Sequence, residues 1–306
     1  MAGAIRGLIG EALGVNWRDF HEGRQPEIEA VIGKSVDDPG RLCFAGPYVM
    51  LGGDRLFPVP LCLLHAADGE WIRLLPAGTG LLTDLGHRRL PAPSRNCPGA
   101  KPLEGDWLDA ENFQKVLDGG VPKSWIPATR VVQADRRTGI RRSNRKRRVE
   151  EGALYFTGHL RLGEDVSLGM AVEGADDIEP DGLVRLGGEG RLARVTVREV
   201  PLGRPSATPA SNRAAVVMLS NGDFRGAYEP DWPEGIRCVS ACIGRAIREG
   251  GWDYRKKQPK PLRALVPAGS VYFVEGNIEG LENLTHLGER AEFGYGEFAL
   301  GIWEES

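Results

Sequence analysis

The sequence lacks any uninterrupted apolar stretch approaching the roughly 20 residues of a membrane helix, and its start lacks the basic-then-apolar pattern of a secretory signal. A cytoplasmic chain with no membrane partner is therefore expected. Cysteine is scarce. Cys43, Cys62, Cys97, Cys238 and Cys242 are odd in number and scattered, which argues against a disulfide framework or a paired CxxC zinc site and for reduced thiols. Cys238 and Cys242 share a face in either helix or strand and read as buried free thiols. The five histidines (His21, His65, His87, His159, His286) form no HxxxH pair, so no metal site is written and no cofactor is expected. A basic excess is also missing. The formal charge of −3 argues against a domain that binds nucleic acid over its whole surface.

What is present is enough for a core: 41% hydrophobic residues over 306 positions suit one large domain or two smaller ones. Charge is unevenly placed. Residues 130–148 hold nine Lys or Arg and one acid, Asp135, leaving 30 cations against 41 acids elsewhere. As a structural feature such a run is a solvated loop; as a functional one it is a polyanion contact. It reads DRRTGIRRSNRKRRVEEGALY, with turn-like Ser143-Asn144 inside and a strand directly after, the pattern of an exposed hairpin or loop anchored to the body. Arginine forks there would grip phosphate oxygens and position RNA without reading its sequence.

Ile5, Leu8, Ile9 and Leu13 fall at helical spacing and predict a helix over residues 1–14 with one stripe suited to a sheet. Val59 to His65 and Trp71 to Leu75 flank Ala-Asp-Gly as a hairpin would, and Pro76 to Asp106 reads as mostly irregular. Asp109 can cap a helix that runs to about Leu117 and ends at Gly119 and Gly120. Ala153 to Thr157, Val166 to Glu173 and Arg191 to Arg198 read as strands. Residues 201–212, PLGRPSATPASN, are turn formers with few large apolar groups, and the main boundary is placed there. The second unit opens with Ala214 to Ser220, an apolar run of buried-strand length. Ser270 to Glu275 and Glu297 to Trp303 are further strands, and Ile236 to Ile247 fits strand or helix. Two α+β units follow, 1–212 and 213–306.

Near the C-terminus, FGYGEFALG sets Gly294 and Gly296 around Tyr295, where the chain can turn sharply or approach a ligand. The Gly-aromatic-Gly portion echoes the RRM strand motif, but Glu297 stands where a stacking aromatic belongs. LGGEGRLARV, from Leu186 to Val195, lacks P-loop spacing and reads as a glycine-rich turn. His21 in WRDFHEGR is the only plausible acid-base residue for RNA cleavage, although a lone loop histidine is far more often an ordinary surface residue.

Six segments in order carry a resemblance over nearly the whole chain: AGAIRGLIGEALG, KPLEGDWL, RRTGI with EEGALYFTGHLRL, LGGEGRLARV, GGWDYRKKQPKPLRALVPAGSVYFVE and FGYGEFALG. Together they resemble the third subunit of the Cmr module, a RAMP protein of type III-B CRISPR effectors. The resemblance implies an α+β fold of two ferredoxin-like, RRM-type units with long insertions in the first, whose leading strand would be missing here. It implies a non-catalytic subunit that binds the repeat-derived 5′ handle of the guide RNA. The implied partners are that guide RNA, the large polymerase-like subunit and a backbone RAMP subunit. Carried onto this sequence, Arg6 matches the arginine of the first-helix motif, and Gly294, Tyr295, Gly296 and Gly301 match the glycine-rich loop. Arg136, Arg137, Arg141 and Arg142 lie in or beside RRTGI, and Lys256, Lys257 and Lys260 lie in YRKKQPKP. Arg145, Arg147 and Arg148 join the RNA-binding set on electrostatics alone. An RNA-processing endonuclease using His21 and a protein-interaction scaffold are the alternatives.

Overall fold

A computed structural model describes residues 1–304 apart from 84–85, 144, 146, 188–189, 201, 210–211 and 254–255. In chain order the main elements are α1 (Ala2–Ala12), α2 (Trp17–His21), α3 (Pro26–Ile32), β1 (Cys43–Leu51), β2 (Trp71–Thr83), β3 (Gly86–Pro93), α4 (Ala110–Leu117), β4 (Val132–Arg142) and β5 (Val149–Leu162). They continue with β6 (Val166–Glu173), β7 (Gly182–Arg185), β8 (Leu192–Val195), β9 (Arg213–Met218), β10 (Ile236–Cys242), β11 (Val271–Gly276), α5 (Glu279–Glu282) and β12 (Phe298–Gly301). The fold is mixed α and β, with strands dominant.

The predicted N-terminal helix forms, and its apolar stripe explains its seat. Ile9 is buried with Ile32, Leu42, Phe44 and Phe293 in one cluster. Gly10 lets α1 approach closely, since a Cβ there would come within 3.1 Å of Ile32 and 3.2 Å of Trp17. Below this layer β1 pairs antiparallel with β6, from Cys43↔Glu173 to Leu51↔Val166, and with Asp54–Arg55 on its other edge. Everything from residue 56 to 163 is an excursion between β1 and β6, and it contains two long ribbons.

The first ribbon corrects the expectation of irregular chain over Pro76 to Asp106. β2 and β3 pair from Leu74↔Pro93 to Thr83↔Gly86. Pro76 and Pro91 face each other in this pairing; Leu63–His65 pairs with the other edge of β2 only as far as Arg73, so beyond it the strands pair only with each other and a missing N–H on the outer edge leaves nothing unpaired. The composition that suggested a loop is therefore compatible with strand. The second ribbon, β4 with β5, carries the basic run and keeps an unbroken register from Val132↔Leu162 to Ile140↔Leu154. Asp109 caps α4 as anticipated, its carboxylate accepting from the Asn112 N–H at 2.8 Å.

β9, β10, β11 and β12 form a four-stranded sheet in the order β10-β11-β9-β12, antiparallel at every pairing. β9 is apolar without alternation because both faces of this sheet are covered. On one side Ala215, Val217 and Phe273 pack with Phe57, Leu63, Phe113 and Leu117 from the excursion. On the other, Val216, Tyr272 and Val274 pack with Phe224, Ile278 and Leu281 from the sheet's own connections. The β9–β10 connection has no α-helix among its residues, and the β11–β12 connection holds only α5 and a 3₁₀ turn, Ala291–Phe293. The segment Ile236 to Ile247 resolves as strand over its first part.

Candidate functional site

The elements surround a cleft of about 1490 Å³ between the α1 end of the chain and the C-terminal sheet. Arg6, Lys256, Lys260, Gly294 and Tyr295, which lie far apart in the sequence, all line it. So do seven Lys or Arg in total against three acids, Asp37, Glu249 and Asp253, together with the aromatic rings of Trp17, Phe20, Tyr48, Trp107, Trp252, Phe293 and Tyr295.

Glycine shapes the floor. Gly294 has φ 85° and rests on the bulge at the middle of β1, where a Cβ would come within 2.4 Å of the Gly46 carbonyl oxygen. Gly296, with φ 77°, faces the Leu287 carbonyl at 1.9 Å from where its Cβ would be. Side chains at these two positions would lever the loop off the body. Between them the Tyr295 hydroxyl donates to Glu249, and the Arg290 guanidinium lies over the Tyr295 ring, 4.2 Å from its centroid. Burial, reinforced by Glu249, pushes the Tyr295 phenol up and keeps it protonated. Gly301 matches the same loop but lies elsewhere. It is buried in β12 against Leu117, a packing position outside the cleft lining.

Glu297, the departure from the aromatic motif, has a structural answer. It is buried and accepts both arms of the Arg55 guanidinium, at 3.1 and 2.7 Å. Arg55 in turn lies 3.7 Å over the Tyr48 ring. Burial, then the charge of Glu297, raise the Tyr48 phenol to about 12. This bidentate pair ties the strand beside β1 to the start of β12. No local signal in the sequence announces it, since the partners are 242 residues apart.

The cations fall into two sorts. Arg6 donates to the carbonyls of Ile32 at 2.7 Å, Ser35 at 2.9 Å and Asp38 at 2.7 Å, so its guanidinium fixes the loop after α3 as well as forming cleft wall. Burial lowers its pKa, with Asp38 opposing. Lys256, Lys260 and Arg185 line the cleft without an ion-pair partner among the described residues. Lys256 and Lys257 lie in a small hairpin closed by Trp252↔Pro259 and Asp253↔Gln258. Lys257 adopts φ 51° in that turn and is not part of the cleft lining. Trp252, half exposed, stands at the same hairpin and lines the cleft.

The other predicted residues lie on the β4–β5 ribbon. Arg136, Arg137, Arg141 and Arg142 belong to β4, and Arg145, Arg147 and Arg148 to its tip, all exposed and none lining the cleft. Arg137 is paired with Asp135 at 2.7 Å. His21 does line the cleft, beside Trp17 and Phe20, but its ring makes no hydrogen bond among the described residues. Nor does any group of three or more His, Cys, Asp or Glu among the described residues form a potential metal site. Sequence reading missed Arg55, Glu249, Arg290 and Arg185 as cleft residues; Trp252 stood inside a quoted segment without being singled out.

The family model for the CRISPR-associated protein Cas_Cmr3 matches residues 1–303. The chain belongs to the Cas_Cmr3 family. It is thus a RAMP-type protein of the Cmr module and a type III CRISPR effector subunit. Among solved structures, the Cas_Cmr3 chain is similar to a chain of the type III-B Cmr-beta complex bound to cognate target RNA, with a TM-score of 0.50 and 14% identity over 89% of this chain and 74% of that one. The same complex with target RNA and AMPPnP gives a TM-score of 0.49 at 14% identity, covering 89% and 76%. A Csm3-Csm4 subcomplex of the type III-A interference complex gives 0.38 at 11% identity, covering 99% and 93%. No curated protein matches the sequence. No helix among the described residues is long and apolar enough to cross a membrane.

Proposed function

We propose that this Cas_Cmr3-family chain is a non-catalytic subunit that holds the repeat-derived 5′ handle of the guide RNA in the cleft, in a cytoplasmic type III-B effector. The observation that carries this reading is the convergence of Arg6, Lys256, Lys260 and Tyr295 in one cleft with a cationic excess and several aromatic rings. Single-stranded nucleic acid is bound by that combination, a positive groove that follows the phosphates and flat rings that stack on bases. Lys256, Lys260 and Arg185 supply charge to phosphates, Trp252 a stacking face, and the Gly294–Gly296 loop a backbone that a strand can approach closely. Arg6 positions the wall. The exposed arginines of the β4–β5 ribbon add salt-dependent affinity without sequence information.

In this reading the C-terminal unit, 213–306, is a ferredoxin-like domain. Its antiparallel sheet has the strand order of a βαββαβ unit, with the first helix replaced by irregular chain and the second shortened to α5. The first unit, 1–212, is its elaborated counterpart, and the large polymerase-like subunit and a backbone RAMP subunit are its neighbours. The alternative as a processing endonuclease rests on His21. If His21→Ala abolishes cleavage of precursor guide RNA by the purified chain, the non-catalytic reading fails. A scaffold without RNA contact is favoured if charge reversal at Arg141 and Arg142 and at Lys256 and Lys260 leaves guide-RNA affinity unchanged.

A further inference from the structure

Acids are out of place in a cleft that holds phosphates, because each one weakens the potential that attracts a polyanion. The cleft has three, Asp37, Asp253 and Glu249. Asp37 is exposed to water, and the Asp253 carboxylate accepts the Lys256 N–H at 3.0 Å and so holds the lysine hairpin. Glu249 has neither excuse. It is half-buried at the end of the short strand Ile247–Glu249, opposite Arg263, and is presented by paired backbone rather than by a free loop. One of its carboxylate oxygens accepts the Tyr295 hydroxyl, and the other accepts no hydrogen bond among the described residues.

Arg290 stands beside it. Its guanidinium is 3.8 Å from Glu249 and 3.9 Å from Asp223, too far for a hydrogen bond to either. It is kept in place by lying over the Tyr295 and Phe293 rings, 4.2 and 5.4 Å from their centroids. The cleft wall thus carries a two-oxygen acceptor and a fork of donors side by side, neither consumed by the other.

We propose that Glu249 and Arg290 read an unpaired guanine of the bound RNA, the carboxylate accepting from N1–H and N2–H and the guanidinium donating to O6. The proposal rests on the cleft being an RNA site and adds base selectivity to it. The order of the groups selects guanine. It alone among the four bases presents two neighbouring N–H donors with an acceptor next to them. Uracil sets one ring N–H between two oxygens, and adenine and cytosine have no ring N–H to offer a carboxylate. A phosphate fits worse, because Glu249 repels it from beside the group that attracts it. Trp252, half exposed and three residues beyond Glu249 in the lining of the same cleft, is the ring available for the base to stack on.

The test measures, by fluorescence anisotropy, binding of the full chain to short RNAs that are uridine throughout except for guanosine, inosine, adenosine or cytidine at one central position. Guanosine should bind about tenfold more tightly than adenosine or cytidine, and inosine, which lacks only the N2 amino group, should fall between them. Glu249→Gln should abolish the guanosine preference and at the same time raise affinity for the all-uridine RNA, since a negative charge leaves the cleft. A change that merely disturbs the cleft would lower both. Arg290→Lys should also reduce the preference, because a point charge replaces the planar fork. The inosine comparison uses the wild-type chain and keeps the test open if a variant misfolds. Equal affinity for the guanosine, adenosine and cytidine RNAs overturns the proposal, as does a guanosine preference that Glu249→Gln leaves intact. Neither result touches the RNA reading of the cleft, which fails instead if every one of these RNAs, all-uridine included, binds K256E/K260E no less tightly than the wild-type chain.

Discussion

The cleft and the β4–β5 ribbon both display arginine, lysine and aromatic residues, but in opposite mechanical settings. In the cleft the framework is fixed before any ligand arrives: Arg55 is held by Glu297, Arg6 by three carbonyls, and Arg290 lies across Tyr295. On the ribbon the cations stand in water on a two-stranded arm. Fixed groups give geometry and hence discrimination between ligands, whereas solvated ones give charge and hence affinity that salt removes. The same residue types thus support a recognition site in one region and an electrostatic one in the other.

The comparison breaks most severely if the rigid side is loosened. Arg55→Ala leaves a buried carboxylate, Glu297, without its partner and should destabilise the chain by about 3–5 kcal/mol, read as a fall in the denaturant midpoint. Replacing Arg55 and Glu297 together by apolar residues should recover most of that loss. Gly296→Ala places a Cβ against the Leu287 carbonyl at a left-handed φ, and a loss of roughly 3 kcal/mol is expected in the same assay. An equivalent glycine replacement on the ribbon, Gly158→Ala, meets nothing within 4 Å and should be nearly neutral.

Charge changes sharpen the contrast from the binding side. Lys256→Glu with Lys260→Glu should lower guide-RNA affinity and reduce the log–log salt slope by about 0.7 for each phosphate that is no longer neutralised, as measured by fluorescence titration. The smallest effect concerns pH. Burial holds the His286 imidazole below its ordinary 6.5, with Glu297 opposing and Arg204 reinforcing. The unfolded chain therefore binds this proton first, so stability present above about 6.5 declines as pH falls through the folded-state value. His286→Gln should flatten the stability profile as pH falls below about 6.5, checked by denaturant midpoints at successive pH values.

Legibility in the sequence followed the range of the interactions. The stripe of α1, the Asp109 cap of α4 and the apolar run of β9 are local and were readable. The β2–β3 ribbon was not, because its prolines at 76, 91 and 93 carry loop statistics while sitting where a ribbon tolerates them. Of the site, the glycine loop and the lysine segment were visible as motifs, but their meeting with Arg6 depends on tertiary packing. The Arg55–Glu297 pair had no signal except a negative one, an acid in a place where a ring was expected. The apolar positions of β4 and β5 were visible in the alternation of the sequence, yet only the pairing register and the exposures show that Leu154, Phe156 and Leu160 face water.

The most direct test of the account compares a guide RNA carrying its true 5′ handle with one carrying a scrambled handle, at two salt concentrations, for the wild-type chain with its large partner, for K256E/K260E and for R142E/R148E. The account predicts that the cleft variant loses the preference for the true handle, while the ribbon variant weakens both RNAs alike and mainly at low salt. Preference that survives in the cleft variant and disappears in the ribbon variant would contradict it.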